Sequence, residues 1–121
     1  MKERAEIGVV NDQVGSPTYA ADLAGAVLKI VSSGNWEAGI YHYTNNGVIS
    51  WFDFAVAIKE LTNSTCIVKP ITTSGYPTPA KRPAYSALDN TKISSTYNIS
   101  LVDWKDSLGV CLAKLKEQNQ A

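Results

Sequence analysis

Three stretches of the chain carry apolar residues at the spacing of an amphipathic helix. The first covers residues 20–33 and is followed by Gly34, a residue type that commonly ends a helix. The second runs from Trp51 to about Leu61, and the third follows Asp103, which can cap it. The apolar faces comprise Leu23, Val27, Leu28, Ile30 and Val31; Trp51, Phe54, Ala55, Ile58 and Leu61; and Trp104, Leu108, Cys111, Leu112 and Leu115. This periodicity predicts three helices that each pack one face against other elements.

Polar residues at helix entries add detail to this pattern. Ser50 and Asp53 form a variant of the capping box ahead of the second helix. A fourth, short helix over residues 90–96 is predicted with Asp89 as its cap. Beyond the third apolar face, the polar run at residues 116–120 is expected to trail into solvent.

Three short runs of β-branched and aromatic residues are typical of strands. They cover residues 7–10, residues 40–44 and residues 66–68; the turn signal Asn45-Asn46-Gly47 closes the second, and Pro70 is expected to end the third. Strands that alternate with helices predict an α/β fold with three to four helices. Three strands are few for a parallel sheet covered on both faces, so we expect a single domain that belongs to a larger α/β structure.

The stretch from Tyr76 to Leu88, here called the proline segment, contains three of the five prolines of the chain. Proline fixes its own φ and biases the preceding residue toward extended geometry, so the segment cannot form a helix or a central strand. Lys81 and Arg82 lie on this stiffened backbone between Tyr76 and Tyr85. Such a segment suits an anionic group that carries a flat ring. A crossover loop with solvated charges explains the same spacing.

Composition narrows the range of partners. Eleven basic and eleven acidic residues among 121 leave no net charge, and no basic run indicates nucleic-acid binding. The first residues lack the apolar core of a signal peptide, and no run approaches the ~20 apolar residues that span a bilayer. We therefore expect a single cytoplasmic domain over residues 1–121 with no membrane association.

Candidate chemical groups are sparse. Cys66 and Cys111 have no Cys-x-x-Cys partner, so they are expected to be core thiols rather than zinc ligands or disulfides. His42 is the only imidazole, and on a strand flanked by tyrosines it is expected to be a packed structural residue. The sequence contains no Gly-x-Gly-x-x-Gly, no Tyr-x-x-x-Lys pair and no metal-binding motif. By itself it shows no catalytic apparatus.

Three segments together carry a resemblance to a known family. They are Val9-Val-Asn-Asp-Gln-Val-Gly-Ser-Pro-Thr18, Gly39-Ile-Tyr-His42 and the proline segment, with its Arg-Pro-x-x-Ser-x-Leu pattern. In order and spacing they resemble the C-terminal part of bacterial dTDP-4-dehydrorhamnose reductases, over essentially all of residues 7–115. The resemblance implies the C-terminal part of a Rossmann-type extended short-chain dehydrogenase/reductase.

The resemblance implies an activity as well as a fold. Enzymes of this family use NADPH to reduce dTDP-4-dehydro-L-rhamnose to dTDP-L-rhamnose for cell-surface polysaccharide such as O-antigen. Their glycine-rich nucleotide loop and catalytic residues lie in the N-terminal Rossmann half, outside this sequence. We therefore expect this chain to bind the dTDP-sugar, to hold no catalytic, cofactor-binding or metal-binding residue, and to be inactive without its Rossmann half; a homodimer is left open.

Site residues follow from the matching positions. Arg82 is the first candidate for contact with the nucleotide diphosphate, and Lys81 is the second, because a guanidinium can fork onto phosphate oxygens where an ammonium cannot. Gln13 and Thr18 offer polar contacts beside the substrate cleft, although turn chemistry and helix capping explain them equally. Ser86 can hydrogen-bond to the substrate or brace the proline segment.

A second class of function stays open at this stage. Related non-catalytic proteins of the same superfamily act as subunits of other enzymes, so a chain without catalytic residues could be a binding or regulatory module.

Overall fold

The parallel pairing of two strands that are distant in sequence organises the fold. In the computed structural model, which describes residues 4–76 and 78–120, strand β1 (Glu6–Val10) pairs in parallel with β4 (Ile67–Ile71). A second pair is antiparallel and joins β2 (Val14–Gly15) to β3 (Ile49–Ser50). The other elements are α1 (Ala20–Ser32), α2 (Trp51–Thr62), a 3-10 turn (Thr73–Gly75), α3 (Thr91–Tyr97) and α4 (Trp104–Gln120). The predicted mixed α/β class is confirmed.

Strand β4 continues through Pro70, which was expected to end it. Ile67 donates its N–H to the carbonyl of Ala5 at 2.8 Å, on the β1 side. Because backbone groups of a strand alternate between its two sides, the nitrogen of Pro70, three residues on, points to the opposite edge. No described strand pairs there. An edge position needs no donor, so proline is tolerated.

Residues 40–44 do not form the predicted strand. The backbone of Thr44 pairs instead with the carboxamide of Asn90, which accepts from the Thr44 N–H at 2.9 Å and donates to its carbonyl at 3.2 Å. A strand requires a neighbouring backbone, whereas here one side chain satisfies both groups. The β-prone residues still pack, since Tyr41 and Tyr43 lie against the buried core.

Local helix signals agree more closely with the structure. Ser50 caps α2 as predicted, with its hydroxyl accepting from the Asp53 N–H at 3.0 Å. Helix α3 begins one residue later than expected: Asn90 is the N-cap, while the Asp89 carboxylate accepts from the Thr91 N–H at 2.8 Å. The polar C-terminal run was expected to trail away, but it continues α4 to Gln120, with exposed side chains over residues 113–118.

The buried core is small and lies between α1 and α3. It comprises Ala26, Ile93, Tyr97 and Ile99, with Ile30, Tyr41 and Tyr43 packed around it. Cys66 is buried as expected, whereas Cys111 is only half-buried, and both thiols are free. Phe54 packs edge-on against Trp104, with ring centroids 6.2 Å apart, and so joins α2 to α4.

The predicted apolar face of α1 is largely uncovered. Only Ala26 of this helix is fully buried and Ile30 is half-buried, whereas Val27, Leu28 and Val31 are 51%, 69% and 56% exposed. Over residues 4–76 and 78–120, no helix combines the length and apolar character needed to cross a membrane.

Candidate functional site

The loop after β1 and the proline segment meet at Val14. Residues 12–18, here called the site loop, connect β1 to the entry of α1. Within this loop, Val14 donates its N–H to the Ala84 carbonyl at 2.8 Å and accepts from the Ser86 N–H at 2.9 Å, forming a parallel bridge opposite Tyr85. Two motifs that are some 70 residues apart in sequence, as the separation of 72 between Val14 and Ser86 shows, therefore form one surface.

Gly15 permits this close approach. Its position is buried, and a Cβ built there would lie 2.8 Å from the Ser86 hydroxyl oxygen. That hydroxyl also donates to the Val14 carbonyl at 3.2 Å, so Ser86 braces the contact between the two segments. The glycine is required here because a side chain would separate them.

Thr73 anchors the beginning of the site loop. Its N–H donates to both Asp12 carboxylate oxygens at 3.0 Å, and its hydroxyl donates to one of them at 2.6 Å. The Thr73 hydroxyl, and then its N–H, hold the pKa of Asp12 below the ordinary value of 3.8. Gln13 also donates to the Thr73 hydroxyl, at 3.2 Å. Thr73 was not anticipated, because a Thr/Ser/Gly run reads only as a turn.

Thr18 and the buried Asn45 hold the other end of the site loop. The Thr18 hydroxyl donates to the Ser16 carbonyl at 3.0 Å and accepts from the Asn45 N–H at 3.3 Å. The Asn45 carboxamide oxygen accepts from the Tyr19 N–H at 2.6 Å. Asn45 stood out in sequence only as part of a turn, although its side chain is among the most buried of the described residues.

Beneath Asn45 lies a buried polar cluster with Asp22 and Ser107. The Asn45 amide nitrogen donates to Asp22 at 2.8 Å, and the Ser107 hydroxyl donates to the same carboxylate oxygen. Burial raises the pKa of Tyr43, and the negative charge of Asp22 adds to that effect. No buried side-chain nitrogen or oxygen is unpaired in the part of the chain that the structure describes.

Lys81 and Arg82 are exposed on the irregular first half of the proline segment. The ion pairs found among the described residues, Lys69 with Glu6 and Lys105 with Glu60, involve neither of them. Pro77 lies outside the described residues. Both cations therefore face solvent on a segment that is pinned to the site loop two residues beyond Arg82, at Ala84.

Two clefts flank the site loop. One, of about 440 Å³, is lined by hydroxyl and amide groups that include Ser16, Asn46 and Asn90. The other, of about 330 Å³, is more apolar and lies between Thr18, Phe54 and Trp104.

Other candidate groups lie apart from a reactive arrangement. His42 is exposed rather than packed, because its segment does not join a sheet. Within residues 4–76 and 78–120, no group of three or more His, Cys, Asp or Glu side chains could hold a metal ion.

The fold and the joined surface define a small α/β binding module. The chain belongs to the RmlD substrate binding domain family, whose model matches residues 1–117. The resemblance noted in the sequence is therefore confirmed.

Relatives of known name support this membership. The chain is 42% identical over 117 residues to the dTDP-4-dehydrorhamnose reductase of Aggregatibacter actinomycetemcomitans, covering 88% of this chain and 40% of the relative. The crystal structure of a dTDP-4-dehydrorhamnose reductase from Clostridium acetobutylicum matches with a TM-score of 0.87 and 42% identity, over 95% of this chain and 40% of that one. The Bacillus anthracis reductase, solved in complex with NADP, matches with a TM-score of 0.86 and 35% identity, over 93% and 40% of the two chains. The chain thus spans about 40% of the length of these relatives.

Proposed function

We propose that this chain is the dTDP-sugar-binding part of an NADPH-dependent reductase that converts dTDP-4-dehydro-L-rhamnose to dTDP-L-rhamnose. The product would supply cell-surface polysaccharide synthesis in the cytoplasm. The observation that carries the proposal is the joining of the site loop to the proline segment at Val14, since these are the two motifs that mark the family. The names of the relatives support the substrate, and the NADP complex of one similar structure supports the cofactor.

Arg82 is the proposed contact for the nucleotide diphosphate. It is exposed, it precedes Pro83 in a stiffened backbone, and the contacts of Ala84 and Ser86 fix the segment just beyond it. Lys81 adds a second positive charge. Because Arg82 has no carboxylate partner among the described residues, its charge is available for a phosphate.

The remaining site residues have supporting roles in this proposal. The Ser86 hydroxyl already donates to Val14, so it braces the segment and retains only acceptor capacity for the substrate. Gln13 and Thr18 line the entry to the site from the loop side, and each is already held by a neighbour, Thr73 and Asn45 respectively. Their geometry favours orientation of the loop with a secondary polar contact to the sugar nucleotide.

The cofactor is assigned elsewhere in the enzyme. The residues of this chain do not fit NADPH, because the sequence has no glycine-rich loop at a strand-to-helix turn that could cradle its pyrophosphate. We therefore expect the chain alone to show neither saturable NADPH binding in a fluorescence titration nor turnover of the keto sugar. Micromolar binding of NADPH by the isolated chain would contradict this assignment.

Arg82→Ala tests the proposal in a reductase that joins this chain to its nucleotide-binding part. Loss of a charge-assisted hydrogen bond of about 1.5–3 kcal/mol should raise KM for the dTDP-sugar roughly tenfold to a hundredfold. The value of kcat and the affinity for NADPH should change little, and Arg82→Lys should recover part of the loss.

Arg4→Ala is the matched control, because it removes the same exposed charge just before β1, at the end of that strand away from the site loop. It should leave KM unchanged. An Arg82→Ala enzyme with normal KM and reduced thermal stability would make the proline segment a structural crossover. A parent protein that turns over no dTDP-4-dehydro sugar would instead favour a non-catalytic binding or regulatory subunit.

A further inference from the structure

One buried turn holds the second half of the site loop. The turn comprises residues 45–47, and Asn45 at its start is 1% exposed. Its carboxamide oxygen accepts from the Tyr19 N–H at 2.6 Å, and its own N–H donates to the Thr18 hydroxyl at 3.3 Å. Gly47, at the end of the turn, accepts from the Ser16 hydroxyl at 2.7 Å. The turn therefore contacts three of the four residues from Ser16 to Tyr19.

The opposite side of Asn45 is fixed to two helices. Its amide nitrogen donates to Asp22 in the first turn of α1 at 2.8 Å and to Ser107 of α4 at 3.3 Å. The Ser107 hydroxyl donates to Asp22, so the three side chains form a closed cluster. A carboxamide is suited to this position, because it presents one acceptor to the loop and two donor hydrogens to the cluster. Loss of the side chain would leave buried groups without partners, which water cannot readily replace.

The two ends of the site loop are thus held by different means. Val14 is tied to the proline segment through backbone hydrogen bonds, and residues 16–19 are tied to Asn45 and Gly47. The loop can present its polar groups in one geometry only while both anchors are intact. Small displacements of positioning groups can cost up to about a hundredfold in rate or affinity.

We propose that Asn45 is a positioning residue for the nucleotide-sugar site, acting through the backbone and hydroxyls of residues 16–19. Asn45 does not itself touch the sugar nucleotide. This inference rests on the proposed function, because it assumes that the site loop faces the substrate.

The test compares Asn45→Ala with Asn90→Ala in the reductase that contains this chain. Asn90 is a matched control: its carboxamide also makes three hydrogen bonds, all to Thr44 and none to residues 16–19. Both variants should lower the melting temperature. Only Asn45→Ala should raise KM for the dTDP-sugar, by about tenfold with kcat within about twofold, since ground state and transition state use the same loop.

Several outcomes would overturn the inference. Equal KM changes in the two variants would show a general loss of stability, and an unchanged KM in a destabilised Asn45→Ala enzyme would show a purely structural role. If Asn45→Ala does not fold, Ser16→Ala removes only the bond to Gly47 and should raise KM by about threefold; an unchanged KM there also refutes positioning. Absence of dTDP-sugar turnover in the parent enzyme would refute the proposed function instead, so the two failures are distinguishable.

Discussion

Gly15 is the residue at which the site loop and the proline segment come closest. We expect Gly15→Ala to lower the free energy of unfolding by about 1–3 kcal/mol, because the new Cβ would lie 2.8 Å from the Ser86 hydroxyl oxygen and one segment must shift. Gly25→Ala is the control: nothing lies within 4 Å of a Cβ at Gly25, and alanine in a helix interior should stabilise by about 0.5–1 kcal/mol.

Urea unfolding of both variants measures the difference. The double variant Gly15→Ala/Ser86→Ala should recover part of the stability, because it removes the clashing hydroxyl. A Gly15→Ala protein as stable as Gly25→Ala would show that the two segments are not in close contact.

At the residue scale, the sequence was informative about chemistry and silent about partners. Arg82, Ser86 and Gln13 could be selected because their residue types and motif positions suggested a polar site. Thr73 and Asn45 could not, since their importance comes from side chains or backbone 61 and 26 residues away. Ordinary turn residues acquire such roles only when the fold brings distant segments together.

At the element scale, Asp12 and Thr73 clamp the ends of β1 and β4, since each lies two residues beyond its strand. The folded-state pKa of Asp12 is lowered below 3.8, so the ionised carboxylate stabilises the native state. This contribution is present above the unfolded value and is lost as pH falls through the folded pKa, in the window below 3.8.

An NMR titration of the Asp12 carboxyl should therefore give a midpoint below 3.8. Thr73→Val, which lacks the hydroxyl, should move the midpoint up toward that value, whereas Thr73→Ser should keep it low. The idea fails if the valine and serine variants titrate alike.

Helices were predicted better than strands for a physical reason. The signals for α2, its apolar spacing and the Ser50 cap, lie within the element itself. A strand depends on a partner backbone: β4 tolerates Pro70 because its outer edge has no described partner, and residues 40–44 lack a strand because Asn90 occupies their backbone groups. Nothing near either segment in sequence reveals those circumstances.

At the scale of the whole molecule, the uncovered side of α1 is the main departure from a self-contained fold. Leu28 and Val31 on this helix and Trp36 and Ile40 just after it are more than half exposed. Apolar patches of this kind favour association. We expect the isolated chain to bind a hydrophobic dye and to self-associate as its concentration rises.

Sedimentation and dye fluorescence on Leu28→Glu provide the check. Leu28 is 69% exposed, so the substitution should reduce both signals without a large loss of stability. A parent chain that stays monomeric and dye-free would show that this surface is well solvated by itself.

The parallel pairing of β1 with β4 also determines when the binding surface can form. Asp12 and Thr73, which close the pair, are 61 residues apart, and the closed segment contains both α1 and α2. Contacts of such high sequence separation slow folding, because the chain entropy of closure must be lost before the contacts form. The helices can form early from local signals, whereas the site loop acquires its anchors only after this closure. The binding surface is therefore expected to be the last part of the domain to assemble and the first to be lost when long-range contacts weaken.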